Sequence, residues 1–222
     1  MATKKKKIQE VKIESGKNNF LKENKIVFII IFAVAALVIV SLLVVRNINH
    51  FENNGLEFNK RVSGDLVLYT AKFPVKDYYG NIIEYRQVDF RTNPKELNKV
   101  RMDYNGTIKI LDQDLTYISY GALNSCEYTT LAGANLGVFF STIGIKYKAG
   151  IDDSDYINNT NSPYVNCRTN PFNTVIQIHS GNETRIAKLG DHCYDIQYKN
   201  CEILPAVEKF EVTMLEQYTS RL

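Results

Sequence analysis

Four cysteines and three histidines are the side chains of this sequence with the most distinctive chemistry. His192 adjoins Cys193 and His179 lies upstream, so a zinc site with mixed ligands is one hypothesis. Thiolate zinc sites usually contain a C-x-x-C or H-x-x-x-H pair, and the sequence has neither. We therefore expect no metal and no cofactor. We interpret the cysteines as two disulfides, and the candidates are Cys126, Cys167, Cys193 and Cys201.

Four cysteines allow three disulfide connectivities, and the sequence alone does not choose among them. We favour Cys167–Cys193, which would join a long loop to a strand, with Cys126–Cys201, which would join the starts of two helices. Each disulfide stabilises a fold by about 2–4 kcal/mol, mainly by restricting the unfolded chain. Disulfides are typical of an oxidising compartment.

Other residues offer little chemistry. Asp152, Asp153 and Asp155 form an acidic group, but the glycine and the closing glutamate of a calcium loop are missing, so we interpret it as a solvated loop. The sequence lacks the G-x-S-x-G, P-loop, G-x-G-x-x-G and H-E-x-x-H motifs. Disulfide pairing would also remove a cysteine nucleophile. We therefore expect no catalytic residues.

Residues 26–45 read IVFIIIFAVAALVIVSLLVV, in which Ser41 is the only polar member. A helix of this length spans about 30 Å, the thickness of the hydrocarbon core of a bilayer. We predict a transmembrane signal anchor. A cleaved signal peptide would be shorter and followed by small residues, a core helix would hold more polar positions, and a pilin-like leader would carry an acidic residue within the run.

The charge distribution predicts the orientation of this span. Residues 1–25 carry a net charge of +5, whereas 47–222 carry −3. By the positive-inside rule the basic tail is cytoplasmic and the rest faces outward from the plasma membrane. The expected partner is thus the lipid bilayer, with other cell-surface proteins a possible second, and we expect no nucleic acid. Three Asn-x-Ser/Thr sequons in the outward part are candidate glycosylation sites, at Asn105, Asn158 and Asn182.

The remaining chain has the composition of a folded domain, since 45% of the whole sequence is hydrophobic and 23% charged. We predict a polar stalk at 46–62 and a single extracytoplasmic α+β domain at 63–222. Its sheet should be mixed or mainly antiparallel, with six to seven strands. The apolar segment 127–145 and the amphipathic segment 202–219 should be the two main helices that cover it.

Periodicity predicts the smaller elements of this domain. We expect three hairpins, a short capped helix at 93–100, a strand at 193–198 and a polar loop at 146–172. The paired segments of the hairpins are 63–75 with 82–90, 107–111 with 115–120, and 174–179 with 184–189. His179 alternates with isoleucines and should be a solvated strand residue.

The final helix carries its apolar residues on one stripe. Its glutamates, among them Glu208 and Glu211, should face elsewhere. The stripe consists of Ile203, Val207, Phe210, Met214 and Tyr218.

Three segments carry a resemblance to a known group of proteins: FRTNPKEL at 90–97, the strand 173–179 that precedes Cys193, and NCEILPAVEKF at 200–210. In these the chain resembles uncharacterised archaeal single-pass membrane proteins with a disulfide-bearing extracellular domain. The likeness covers most of 63–220. It implies an archaeal cell surface and no known activity or catalytic residue.

Two classes of function, and a third less favoured one, are consistent with these features. The first is a noncatalytic, membrane-anchored envelope protein that binds or assembles with other surface components. The second is an extracytoplasmic hydrolase, which needs a concave site with perturbed titratable groups. The third is a pilus-like subunit, which the lack of a pilin leader disfavours.

Overall fold

The structure is a computed structural model, and the residues it describes are 14–77, 79–104, 107–111, 115–121, 126–153 and 162–220. The chain divides into two units, Met1–Asn49 and His50–Leu222.

Helix α1, Glu14–Asn49, is the described part of the first unit. Its stretch Val27–Val45 has a mean hydropathy of 3.4, and the side chains of this stretch are exposed. The hydroxyl of Ser41 donates to the carbonyl of Leu37, so the polar side chain is satisfied within the helix. Among the described residues this is the one helix long and apolar enough to cross a membrane.

The second unit begins with a four-stranded antiparallel sheet in which each strand pairs with the next. The predicted hairpin of 63–75 with 82–90 is confirmed as the last two of these strands. The strands are β1 His50–Asn53, β2 Leu56–Ser63, β3 Leu66–Lys76 and β4 Ile82–Phe90.

The predicted stalk at 46–62 is wrong from residue 50 onward, because β1 and β2 form a hairpin there. The turn between them is Asn54-Gly55, with φ angles of 52° and 81°, the left-handed conformation that a two-residue hairpin turn requires. Leu56 and Phe58 are completely buried. Polar residues alternate with them on the outward side, so a polar composition concealed a half-buried hairpin.

A second sheet has six strands in the order β5-β9-β10-β8-β6-β7, and every neighbouring pair is parallel except β9 with β10. The α+β class is therefore confirmed, but the described residues form ten strands in two sheets rather than one sheet of six to seven. The strands of this sheet are β5 Arg101–Met102, β6 Thr116–Tyr120, β7 Tyr147–Ile151, β8 Val175–Ser180, β9 Arg185–Gly190 and β10 Cys193–Tyr198.

Two of the predicted hairpins are wrong. Strands β8 and β9 do not pair with each other, because both pair with β10, which confirms the strand predicted at 193–198. Residues 107–111 form no strand, and β6 pairs instead with β7 and β8. Strand β9 pairs with the next strand along the chain, β10, whereas β6 and β8 pair with each other although they are distant in sequence.

Two smaller elements also differ from the prediction. The expected helix at 93–100 is a turn followed by a three-residue 3-10 helix, Leu97–Lys99. The expected polar loop at 146–172 begins with β7. Since β6 and β7 are parallel neighbours, the chain between them must cross from one end of the sheet to the other, and it does so through an intervening helix.

That helix is α2, Thr129–Ile143, and the last described element is α3, Ile203–Ser220. Both confirm the predicted main helices. Helix α3 contacts β9 and β10 of the larger sheet and β2 and β3 of the smaller one. It therefore lies in the core, with strands of both sheets packed against it.

In the predicted stripe of α3, Ile203, Val207 and Phe210 are fully hidden, while Met214 and Tyr218 are partly buried. Glu208 and Glu211, however, do not face solvent, since they are 0% and 1% exposed. The prediction assumed that α3 has one solvent face. A helix in contact with two sheets has little surface left for water.

Candidate functional site

One face of the six-stranded sheet is polar. Strands β8 and β10 turn their isoleucines and tyrosines into the core, where Tyr194 packs its ring against Phe210 of α3. Alternate residues of a strand point to the opposite face. That opposite surface, which we call the polar face, carries Gln177, His179, Arg185, Asp195 and Gln197.

His179 and Asp195 form a close pair on the polar face. Nε2 of His179 lies 2.6 Å from Oδ1 of Asp195, and Nδ1 lies 3.0 Å from the carbonyl oxygen of Ser180. Asp195 is 4% exposed, whereas the imidazole is partly open to solvent. His179 is therefore a strand residue as predicted, but it is only partly solvated, because its ring is held by Asp195 and by the Ser180 carbonyl.

The hydrogen bond to Asp195 raises the pKa of His179 above its usual 6.5, against the opposing effect of burial, and the charge of Asp152 adds to the increase. Both ring nitrogens face oxygen acceptors. A neutral imidazole has one N–H, so one of its contacts would set a lone pair against an oxygen. The geometry therefore favours the imidazolium, which donates from both nitrogens.

A ladder of hydrogen bonds continues from this pair across the sheet. Nε2 of Gln197 donates to the second carboxylate oxygen of Asp195 at 2.8 Å, and Nε of Arg185 donates to Oε1 of Gln197 at 3.0 Å. Arg185 also pairs with Asp103 and Glu183. Each polar group of the ladder is thus satisfied by its neighbour, which rigidifies the face.

A pocket of about 290 Å³ lies at the His179 end of the ladder. Asp152, which follows β7, accepts hydrogen bonds from Gln177 at 2.6 Å and from Asn166 at 2.9 Å. Gly121 follows β6, and a Cβ at this position would lie 3.0 Å from that of His179. The pocket thus lies at the carboxyl ends of parallel strands, where α/β sheets commonly bind ligands.

This geometry fits recognition of polar groups better than acid–base catalysis. A general base needs a nitrogen with a free lone pair that faces the substrate, and both nitrogens of His179 already lie against oxygen atoms of the protein. Carboxylates and amides in a partly open pocket form hydrogen bonds with polar or cationic groups. The pocket is therefore a candidate binding site.

The two disulfides have the favoured connectivity. Cys167–Cys193 joins the loop before β8 to the start of β10, and Cys126–Cys201 joins the residues that precede α2 and α3. The Cα atoms of the pairs are 5.7 Å and 5.4 Å apart, within the usual range for a disulfide. These pairs are the same as those predicted.

The other candidate residues are not brought together. Asn182 is exposed in the turn between β8 and β9, while Asn105 and Asn158 lie outside the described residues, as does Asp155. Within the described ranges no group of three or more His, Cys, Asp or Glu side chains is placed to hold a metal ion. His192 lies against the carbonyl of Lys109, and it is not part of the His179 pocket.

Sequence reasoning missed the polar face, although one signal was present. Gln177 and His179 alternate with isoleucines on β8, and Asp195 and Gln197 alternate with core residues on β10. If two strands with this alternation are neighbours in a sheet, their polar residues lie on the same face. The parallel pairing of β8 with β10 was the missing fact.

Comparison with known protein families, curated proteins and solved structures finds no match to this chain. The resemblance to archaeal membrane proteins therefore stays a prediction.

Proposed function

We propose that this protein is a single-pass, membrane-anchored protein of the cell envelope whose second unit binds or assembles with other surface components without catalysis. The observation that carries the proposal is the combination of one long apolar helix with a domain in which all four cysteines are paired. Lipid is the solvent for the helix, and an oxidising space maintains the disulfides.

The lysine-rich segment before α1 supports an orientation with the amino terminus in the cytoplasm. The exposed side chain of Asn182 lies on the same side as the disulfides in this arrangement and is open to glycosylation. The archaeal surface that the resemblance implies is compatible with both features.

The environment of His179 argues against the alternative of an extracytoplasmic hydrolase. Its imidazole is held between a carboxylate and a carbonyl, so it lacks the free lone pair of a base. The polar face instead presents a rigid pattern of donors and acceptors, which suits a partner with complementary polar groups.

Protease treatment of intact cells that express the full chain tests the orientation. We expect residues 50–222 to be digested from outside, with permeabilised cells as the control. Replacing Lys4–Lys7 with glutamine should increase the protected fraction, because it removes part of the charge asymmetry. Protection of the domain in intact cells with the native sequence would contradict the proposal.

Chemical crosslinking on intact cells tests the binding role. Arg101 pairs with Asp103, which in turn pairs with Arg185 of the ladder. We expect discrete adducts with surface components, weakened by Arg101→Glu and unchanged by Lys72→Glu on the other sheet. A turnover of glycan or peptide substrates that disappears in His179→Gln would favour the hydrolase instead.

A further inference from the structure

A second concave site lies on the core side of the larger sheet, away from the polar face. It is a cleft of about 630 Å³ between α2, α3 and the extended segment 107–111. We call it the α2–α3 cleft. Its walls include Phe139 and Ile143 of α2, Met214 and Tyr218 of α3, and Ile108 and Ile110 of the segment.

The size of the cleft exceeds that of a packing defect. Protein interiors contain few voids larger than a water molecule, whereas ligand pockets measure roughly 300–1,000 Å³. Two backbone N–H groups beside the cleft are occupied. The N–H of Ile108 donates to Gln217 at 2.7 Å, and that of Lys109 donates to the Tyr194 hydroxyl at 2.6 Å. These two donors are therefore not available to water in the cleft, and the side chains of α2 and α3 provide its apolar walls.

The one formally charged residue among the described lining residues of the cleft is basic. Lys109 is exposed to solvent and lines the cleft, and His192 lies beside it with its ring 3.3 Å from the Lys109 carbonyl. The described lining residues include no carboxylate. A cleft with apolar side chains along two helices and one ammonium group at its border suits an apolar chain that ends in a single negative charge.

We propose that the α2–α3 cleft binds a fatty acid, with its acyl chain between the two helices and its carboxylate at Lys109. The proposal goes beyond the envelope role and does not depend on the anchor. Lipid is abundant around any chain that is inserted through α1, so the same site would have a nearby supply of ligand.

Photocrosslinking with the full chain in phosphatidylcholine vesicles tests this site. The probe is hexadecanoate with a diazirine near the end of its chain, and peptide mass spectrometry locates the adducts. We expect adducts on 139–145 and 214–218. Their absence from the cleft overturns the proposal, whatever happens at 27–45. Adducts at 27–45 report insertion of α1 separately, so a failure of the anchor is distinguishable from a failure of the cleft.

Two helix variants control for nonspecific labelling. Ile143→Trp fills the cleft and should reduce cleft adducts about tenfold, whereas Val138→Trp changes an exposed residue of the same helix and should leave them intact. If the Ile143→Trp variant does not fold, as judged by formation of both disulfides, Met214→Phe replaces it as a variant that fills less of the cleft. Equal labelling of a folded filled variant and the Val138 control contradicts binding in the cleft.

Competition identifies the head group. Unlabelled hexadecanoate should displace the probe, and Lys109→Gln should weaken this competition by about 2–5-fold, as expected for one exposed ion pair. Competition by hexadecanol should not change in Lys109→Gln. A stronger competition by phosphatidylglycerol than by hexadecanoate would overturn the assignment to a fatty acid.

Discussion

At the scale of single residues, the core contains carboxyl groups that a sequence pattern assigns to solvent. Glu208 accepts hydrogen bonds, at 2.7 Å and 2.8 Å, from the backbone N–H groups of Arg91 and Thr92, which are the two residues that follow the last residue of β4. Glu211 is 1% exposed, and its Oε1 has no hydrogen-bond partner among the described residues. Burial raises the pKa of both groups, and for Glu211 it does so strongly.

A buried carboxyl with a raised pKa makes the domain less stable as the pH rises. Above the usual value of 4.5 the unfolded chain loses this proton while the folded chain keeps it, so the free energy of unfolding decreases until the folded pKa is passed. We expect Glu211→Met to raise the free energy of unfolding by about 1–3 kcal/mol near pH 8, the cost of a buried unsatisfied polar group. The gain should shrink toward about pH 4.5.

Thermal unfolding of the full chain, followed by the near-ultraviolet circular dichroism of its tyrosines, measures this gain. The exposed Glu96 provides a control, because Glu96→Met should change stability little at either pH. A loss of stability in Glu211→Met at both pH values would mean that the carboxyl makes a stabilising contact.

His179 differs from Glu211 because its pKa is raised by a hydrogen-bonded carboxylate and not by burial. The stability of the domain nevertheless changes in the same direction with pH. The folded pKa of His179 is raised, so its contribution to stability is complete below 6.5 and is lost as the pH rises through the folded value. We expect Asp195→Asn to lower the free energy of unfolding by about 1.5–3 kcal/mol near pH 5.5 and by less near pH 9. An equal loss at both pH values would show that His179 is uncharged in the fold.

At the scale of elements, α3 holds the two sheets together. It contacts strands of both, and Phe210 packs on Tyr194 of β10 while Tyr218 packs on Phe73 of β3. An amphipathic helix on a surface has one sheet beneath it and water above it. Here the second sheet covers the side of α3 that would otherwise face water, and the side chains of Glu208 and Glu211 are therefore buried.

This position makes α3 sensitive to truncation of its side chains. We expect Phe210→Ala to lower the free energy of unfolding by about 3–5 kcal/mol, because the fully buried ring leaves a cavity. Val138→Ala on α2 is the matched control, since Val138 is 65% exposed and should cost less than about 0.5 kcal/mol. Urea unfolding of both variants measures the difference, and comparable values would place Phe210 outside the core.

At the scale of the whole molecule, the disulfides close loops of different length. Cys126–Cys201 spans 75 residues, and Cys167–Cys193 spans 26. The longer link joins the residues before α2 to those before α3. In the unfolded chain it therefore restricts the segment that forms β7, β8, β9 and β10 of the larger sheet. The shorter link holds a loop against β10.

Chain entropy predicts a difference between the two links. Replacing Cys126 and Cys201 together with serine should lower the free energy of unfolding by up to about 4.5 kcal/mol, and replacing Cys167 and Cys193 by up to about 3.5 kcal/mol. Thermal unfolding of the two double variants measures the order. If the pair that closes the shorter loop costs more, strain or local packing rather than loop length dominates.

The success of individual sequence predictions depended on how local their causes are. Helices α1, α2 and α3 follow from apolar runs and from a 3.6-residue period, which any single helix displays in its own sequence. The hairpin β1–β2 also has a local signal, because Asn54-Gly55 between alternating apolar residues is typical of a two-residue turn. The polar composition of the segment led to the prediction of a stalk instead. The partners of β8 could not be predicted, since β9 follows it closely in sequence whereas β10 and β6 are its neighbours in the sheet.

The amino-acid order alone determined that one apolar helix precedes an α+β domain with two main helices and paired cysteines, because helix periodicity and apolar length are properties of neighbouring residues. Only the tertiary structure decided that there are two sheets, that α3 lies in contact with both, and that His179 meets Asp195. The reason is physical: strand pairing and burial depend on contacts between distant segments, and the same local pattern fits several of them.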